Sequence, residues 1–485
     1  MLAYKPAYNL VIVPKGNVIK LRKKEQKARV YIVLRHLNLK QNSIPMLQSN
    51  VKIIAELKQF VTIASTNKEL LRQFSVSAND FIRTRKLPFE KLVLLIAKLC
   101  KKTLSIEIET FFEEMSSTLT CSVSAFTQQR LKLEPSFFYW WNQLLKESYY
   151  HYYKTEVKRW KGYRIIAADG SNISLINNAC LSKYFGGQSN QQTSYVLAKT
   201  FYHYDVLNEL IVLPQIKPYR YGELFMAYDA IDLIEDDMLT IYDRNFSNYK
   251  MVALHLWQEK ERKFVIRAKE TQNMIKAFIA SGESSSIVYM QPTPPSIAGL
   301  KKKGFIVTKN TLLQVRLVRV ELPKSIEVLI TNLWEQDGHP TEQFKDLYAL
   351  RWGVETNIGI QKNILQLESF SGLTVHAVVQ DFYATVMMTN LHSIIIKDAQ
   401  QTVERKIHYR KYPIKVNKNK SFGKLKINLV ALFVQNNIET ILTKLHDHFI
   451  REVIPIRKGR SFERVRKNAQ SKSKYKTFTN FKSAY

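Results

Sequence analysis

Residues 347–362 read Leu-Tyr-Ala-Leu-Arg-Trp-Gly-Val-Glu-Thr-Asn-Ile-Gly-Ile-Gln-Lys, which sets Tyr348, Arg351, Glu355 and Lys362 at offsets of 0, 3, 7 and 14. At roughly 100° per residue a helix brings all four into one stripe. A phenol, a guanidinium, a carboxylate and an ammonium are the wrong make-up for a buried stripe. They suit a phosphate held beside a metal ion. Gly359 falls beside them, leaving room for a backbone or ligand to approach. Spacing alone leaves a second reading open, because Arg351 and Glu355 also have the i, i+4 spacing of a surface ion pair.

Upstream, Tyr163–Ala168 is an apolar run of strand length ending at Asp169-Gly170, and Leu239–Tyr242 is another ending at Asp243. Ser194–His203 and Val206–Ile216 have strand texture around a turn at Tyr204-Asp205. Glu223–Ile234 and Asn248–Trp257 have helical spacing, and Lys263–Ala268 is strand-like. This order predicts a mixed α/β sheet. From about 270 to 335 the rhythm breaks into a Pro-rich run, three lysines and strands at Gln314–Leu322 and Ile326–Leu333, which read as a β-rich insertion. Helical pattern resumes from Thr341 to Leu367 and from Val375 to Ile396.

Phosphodiester transfer needs charge neutralised on the attacking and leaving oxygens, and two divalent ions held by converging carboxylates do this. Hard cations such as Mg²⁺ take oxygen ligands. The expected signature is therefore a few acids from separate elements. Asp169 and Asp243 each close an apolar strand, where a side chain at a sheet edge faces a cleft. Asp after a strand is also a common turn former or helix cap, so neither decides alone.

Together these residues resemble the Tyr-Arg-Glu-Lys signature of bacterial insertion-sequence transposases of the insertion-sequence-four family, with the spacing Tyr348-(2)-Arg351-(3)-Glu355-(6)-Lys362 intact. Ala168-Asp169-Gly170-Ser171 is similar to the first-Asp motif and Tyr242-Asp243-Arg244-Asn245-Phe246 to the second. Thr331-Asn332-Leu333 sits where such an element precedes the signature helix. The likeness covers about residues 80 to 400. One departure is Asn245, where the family has Gly; Asn tolerates positive φ better than most residues, so the turn is expected to survive.

The resemblance implies an RNase H-like core, a mixed five-stranded sheet flanked by helices, with a β-rich insertion between the second Asp and the Glu. It implies Asp169, Asp243 and Glu355 as catalytic ligands of two Mg²⁺ or Mn²⁺ ions. Tyr348, Arg351 and Lys362 would hold DNA phosphates. Water would attack a phosphodiester at the transposon end, and the freed 3′-hydroxyl would be the next nucleophile. Some relatives hold a flipped base against a Trp, a role open here to Trp334 or Trp352, either of which can equally be a packed aromatic. The implied partners are double-stranded DNA, the terminal inverted repeats and the target, with a homodimer expected from pairing two ends, no membrane, and a bacterial cytoplasm as the setting.

Charge agrees with an anionic partner. The chain of 485 residues carries 73 Lys and Arg against 41 Asp and Glu, a net +32. Such an excess repels itself unless something anionic is bound, and nucleic acid is the first candidate. Residues 1–45 are basic and unassigned. Residues 46–158 read as a helical, DNA-binding domain, in which a helix capped at Ser122 or Ser124 carries Gln128, Gln129, Arg130 and Lys132, side chains suited to a DNA groove or to a solvated face. Residues 159–400 form the expected catalytic core. The region 401–485 holds 21 Lys or Arg and 5 Asp or Glu, and its tail, Arg457–Lys482, interleaves bases with aromatics as a strand running along phosphates would. Three scattered cysteines without a CxxC pair disfavour a zinc module or a disulfide framework. The rival functions are an RNase H-like nuclease that cuts without joining, and a DNA-binding relic with no catalysis.

Overall fold

The computed structural model describes residues 46–457, apart from 84, 190–193, 324 and 406–410. The basic segment 1–45 and all but the first residue of the Arg457–Lys482 tail lie outside the described residues. Two compact units divide the described chain, Thr155–Val375 being one and the residues up to Lys154 and from His376 onward the other. Helix Val375–Arg405 belongs almost whole to the helical unit.

In Thr155–Val375, nine strands form one sheet: β1 (Arg164–Leu175), β2 (Gly187–Ser189), β3 (Ser194–Asp205), β4 (Leu210–Pro218), β5 (Met238–Tyr242), β6 (Lys263–Arg267), β7 (Ser285–Met290), β8 (Leu313–Leu322) and β9 (Ser325–Thr331). β1, β5 and β6 run parallel, while β3 is antiparallel to β1 and β4 to β3. Ile165, Ile166, Ala167 and Ala168 of β1 are fully buried, as a central strand covered on both faces requires. The order β4-β3-β1-β5-β6 is the RNase H-like core of five strands that the sequence led us to expect.

The insertion does not stand apart. Its strands extend the same sheet, β9 pairing antiparallel with β6, β8 with β9 and β7 with β8. Helices Asn273–Ser281 and Pro294–Lys301 lie within it, the second held by a capping box between Thr293 and Ser296. On one face of the sheet, Phe344, Leu347 and Tyr348 of helix Gln343–Ala349 pack on Ile165, Leu239, Ile241, Val265, Val318 and Leu329. Each large apolar side chain buried there contributes about 1.5–3 kcal/mol.

Two strand ends differ from expectation. β1 does not stop at Asp169 but runs on to Leu175, since β3 continues to pair with it through the polar Gly-Ser-Asn step. The turn between β3 and β4 lies at residues 206–209, where Glu209 takes φ of 57°, and not at Tyr204-Asp205, which remain in β3.

The helical unit begins with Met46–Thr66 and includes Val123–Arg130, Ser136–Tyr152, Lys418–Val434 and Ile438–Arg451. Trp141 is fully buried and its Nε1 donates to the Leu57 carbonyl at 3.2 Å. The cap at Ser122 is present, its Oγ accepting from Ala125 N at 3.1 Å. The groove-contact expectation is corrected for two residues of that helix. Arg130 is 1% exposed and donates to Asp381 at 2.8 Å and to the Gln380 amide at 3.0 Å, while Gln129 is also buried. Both therefore serve the core of this unit; Gln128 stays exposed and Lys132 half-buried. Asp381→Ala strands the Arg130 cation in that core, so denaturant titration should show a loss of about 3–5 kcal/mol; a change under 1 kcal/mol would show the pair to be incidental. No helix among the described residues is long and apolar enough to cross a membrane.

Candidate active site

The parallel ladder of β1 and β5 ends at the pair Ala168↔Tyr242. Asp169 and Asp243 are the next residue on each strand. β1 continues beyond this point with β3 on one side only, so Asp169 sits where the sheet opens. Asp243 leaves β5 and caps the 3₁₀ turn Arg244–Phe246, its Oδ1 accepting from Asn245 N at 2.9 Å. Asn245 is not among the residues with positive φ, so this turn does not need the glycine found in the family motif.

Glu355 comes from helix Trp352–Gly359. The long helix expected over 341–367 is interrupted. Leu350, Arg351, Gly353 and Val354 each donate from their backbone N to a carbonyl three residues back, a tight 3₁₀ step between helix Gln343–Ala349 and helix Trp352–Gly359. Ile360–Ile364 then forms a π turn. These changes of pitch do not separate Tyr348 from Arg351, whose guanidinium lies 6.0 Å from the Tyr348 ring. Tyr348 turns into the apolar cluster on the sheet. Lys362 reaches β1, donating to the Asn172 carbonyl with Glu368 at 3.8 Å. Among the described residues no other part of the protein packs closely on Gly359, where a Cβ would meet only the Asn363 amide at 3.9 Å.

Arg351 and Glu355 do stay together, and Arg351 joins two elements. Its Nη2 donates to Glu355 Oε1 at 2.8 Å and its Nη1 lies 3.5 Å from Asp169 Oδ2. The guanidinium is 5.1 Å from the Trp352 ring, and that ring is 56% exposed. Trp334 is half-buried at the start of the 3₁₀ turn Glu335–Asp337.

A fourth carboxylate was invisible in the sequence. Glu223 opens helix Glu223–Ala230, and spacing marked it only as a helix start. A Cβ on Gly170 would strike Glu223 Cγ at 2.5 Å, so the glycine after Asp169 is what lets this side chain lie against β1. Lys199 of β3 pairs with it at 3.1 Å.

Electrostatics bind the group together. The Asp169 carboxyl is raised to about 6 from an ordinary 3.8: burial is the main cause, opposed by the Gly170 N–H and Arg351 and aided by Asp243 and Glu223. Folded protein thus holds this proton more tightly than unfolded chain. The stability it contributes is full below the ordinary value and is lost as pH rises through about 6. Asp169→Asn should accordingly be more stable than the parent at pH 8, by on the order of 1–3 kcal/mol, with the gap closing toward pH 4. Equal melting curves across that range would contradict the assignment.

The donor set suits a hard divalent cation, since Asp169, Asp243 and Glu355 offer only oxygen. Asp169 Oδ1 and Asp243 Oδ1 are engaged by backbone N–H groups, which orients each Oδ2 for another partner. As they stand, no three His, Cys, Asp or Glu side chains among the described residues are grouped to hold a metal ion. Arg351 is the cation that two of these carboxylates share.

Residues 160–391 match the family model described as "Transposase DDE domain", a span that includes β1 to β9 and all three acids. A search of curated proteins finds no match. Among solved structures, one described as the cryo-EM structure of the piggyBac transposase synaptic complex with hairpin DNA aligns over 86% of this chain and 87% of its own, at 10% identity and a TM-score of 0.39.

Proposed function

We propose that this chain is a DNA transposase that cuts and joins the ends of an insertion sequence by two-metal-ion phosphodiester transfer, with Asp169, Asp243 and Glu355 as the metal ligands. The observation that supports it most is the bridge through Arg351, which draws carboxylates from β1 and from helix Trp352–Gly359 to one place beside the end of β5. When bound, Mg²⁺ or Mn²⁺ would activate the nucleophile and neutralise the leaving oxygen.

The chain's own residues then do the positioning. Arg351 offers a forked guanidinium that suits a phosphate oxygen pair, on exchanging its present carboxylate partners for the substrate. Lys362 stands over β1 as a point charge three residues beyond Asp169, near Asn172. Tyr348 is largely buried beside Arg351, its phenol pushed up to about 12 by burial, so it acts as a neutral hydroxyl. Trp352 presents an open face on which an unpaired base can stack. The partners in this reading are double-stranded DNA, the terminal inverted repeats and target DNA, with a homodimer pairing two ends in a bacterial cytoplasm.

The test is incubation with DNA carrying the element's own terminal repeats plus Mg²⁺ or Mn²⁺. Nicked ends that become joined to target are the expected result. Ends cut but never joined would favour a nuclease, and no cutting with either ion would overturn the enzyme reading.

A further inference from the structure

The parallel strands β1, β5 and β6 carry the acids at their carboxyl ends. At their amino ends lies a separate cleft of about 340 Å³, lined by Lys161, Tyr163, Lys263, Asn332, Asp337 and His339 among others. Lys161 sits just before β1, Lys263 opens β6 and Asn332 follows β9. Tyr163 lies six positions before Asp169 along extended chain, so the cleft and the acids are about 20 Å apart at ~3.3 Å per residue.

Three features of the cleft point to an anion. Two ammonium groups face one carboxylate in its lining, that of Asp337, while the exposed Glu261 lies outside the lining at 3.7 Å from Lys263. Both heads are anchored by carbonyls, Lys161 donating to Gly338 O and Lys263 to Asn332 O at 3.5 Å, and an ammonium keeps further protons for a ligand. The third feature is His339, which is only 6% exposed while its Nδ1 has no hydrogen-bond partner among the described residues. Its ring is fixed by stacking on Trp160, with centroids 5.6 Å apart and planes 20° apart. Burial, with Lys161 adding to it, lowers its proton affinity, so the ring is neutral and has one N–H to give. A buried polar group left without a partner costs free energy that a ligand would restore.

We propose that this cleft is a second phosphate-binding site, in which Lys161, Lys263 and His339 receive a phosphate group remote from the carboxylates. The group is either a phosphodiester of the DNA backbone or the phosphate of a small molecule; both present the same anionic oxygens to the same donors.

The experiment uses the full chain with a chelator present, so that no cation recruits phosphate to the acids, and titrates inorganic phosphate calorimetrically. The paired change Lys161→Gln with Lys263→Gln should weaken binding by at least about ten-fold, the worth of one or two charge-assisted hydrogen bonds. The corresponding Arg pair should keep it. Equal binding by the parent and the Gln pair overturns the site. Should the Gln pair fail to fold, Asp337→Asn serves instead: removal of the opposing carboxylate should tighten phosphate binding, and unchanged binding would overturn the site. A duplex of unrelated sequence separates the sources. If backbone phosphate is the occupant, the salt slope of DNA binding should fall by about 0.9 in the Gln pair, one phosphate contact being lost. A slope unchanged while inorganic phosphate is lost assigns the cleft to a small phosphorylated molecule. No cleavage is read in either arm, so failure here is distinct from failure of the transposase reading.

Discussion

Glu355→Ala and Asp169→Ala are each expected to lower strand cleavage by about a thousand-fold or more, while leaving affinity for the transposon ends largely intact. Each removes one of three acids that come from different elements, and neither neighbour can take its place, because Asp243 is tied to its own 3₁₀ turn and Glu223 to Lys199. Loss of a single preorganised electrostatic contact commonly costs 10²–10³ in rate, and loss of a ligand costs about that or more. DNA affinity rests on phosphate contacts by cations and should not suffer when a carboxylate leaves. Labelled-end cleavage and gel-shift assays on the same preparations separate the two effects. Cleavage that survives either change removes that residue from the site.

Arg351→Lys should cut cleavage by about 10²-fold although it keeps the charge. The guanidinium reaches Asp169 and Glu355 through different nitrogens, 3.5 Å and 2.8 Å away, and a single ammonium cannot span both. The same change leaves Asp169 less compensated, so its carboxyl should rise beyond about 6 and the acid limb of the pH–rate profile should move upward. A variant that cuts at the parental rate with an unmoved profile would show that the fork is not used.

The catalytic sheet was largely legible because its strands are continuous apolar runs, and a central strand covered on both faces has to be one. Leu239–Tyr242 and Lys263–Ala268 were found to within a residue for that reason. What was lost depended on partners. The extension of β1 through Gly170, Ser171 and Asn172 looks like a turn until β3 is there to pair with it. β7, Ser285–Met290, was not read as a strand; it has one buried side chain, Met290, the rest being half-buried or exposed. At the site, the spacing of Arg351 and Glu355 gave their contact correctly, since one helical turn decides it. The 3₁₀ step and the π turn on either side have no sequence mark; Tyr348 packs into the apolar cluster with its ring 6.0 Å from the Arg351 guanidinium, and Lys362 reaches the Asn172 carbonyl. Arg130 read as a DNA contact because a basic residue near the end of a polar helix is usually solvated; Asp381, over two hundred residues away, is what buries it. Glu223 was missed because only the fold brings it over Gly170.

The central claim is that Asp169, Asp243 and Glu355 share divalent cations. Anomalous scattering from crystals grown with Mn²⁺ tests it most directly. The account predicts manganese peaks bounded by these three carboxylates, with the Arg351 guanidinium moved off Asp169 and Glu355. Manganese bound elsewhere, with both contacts of Arg351 still in place, would contradict it.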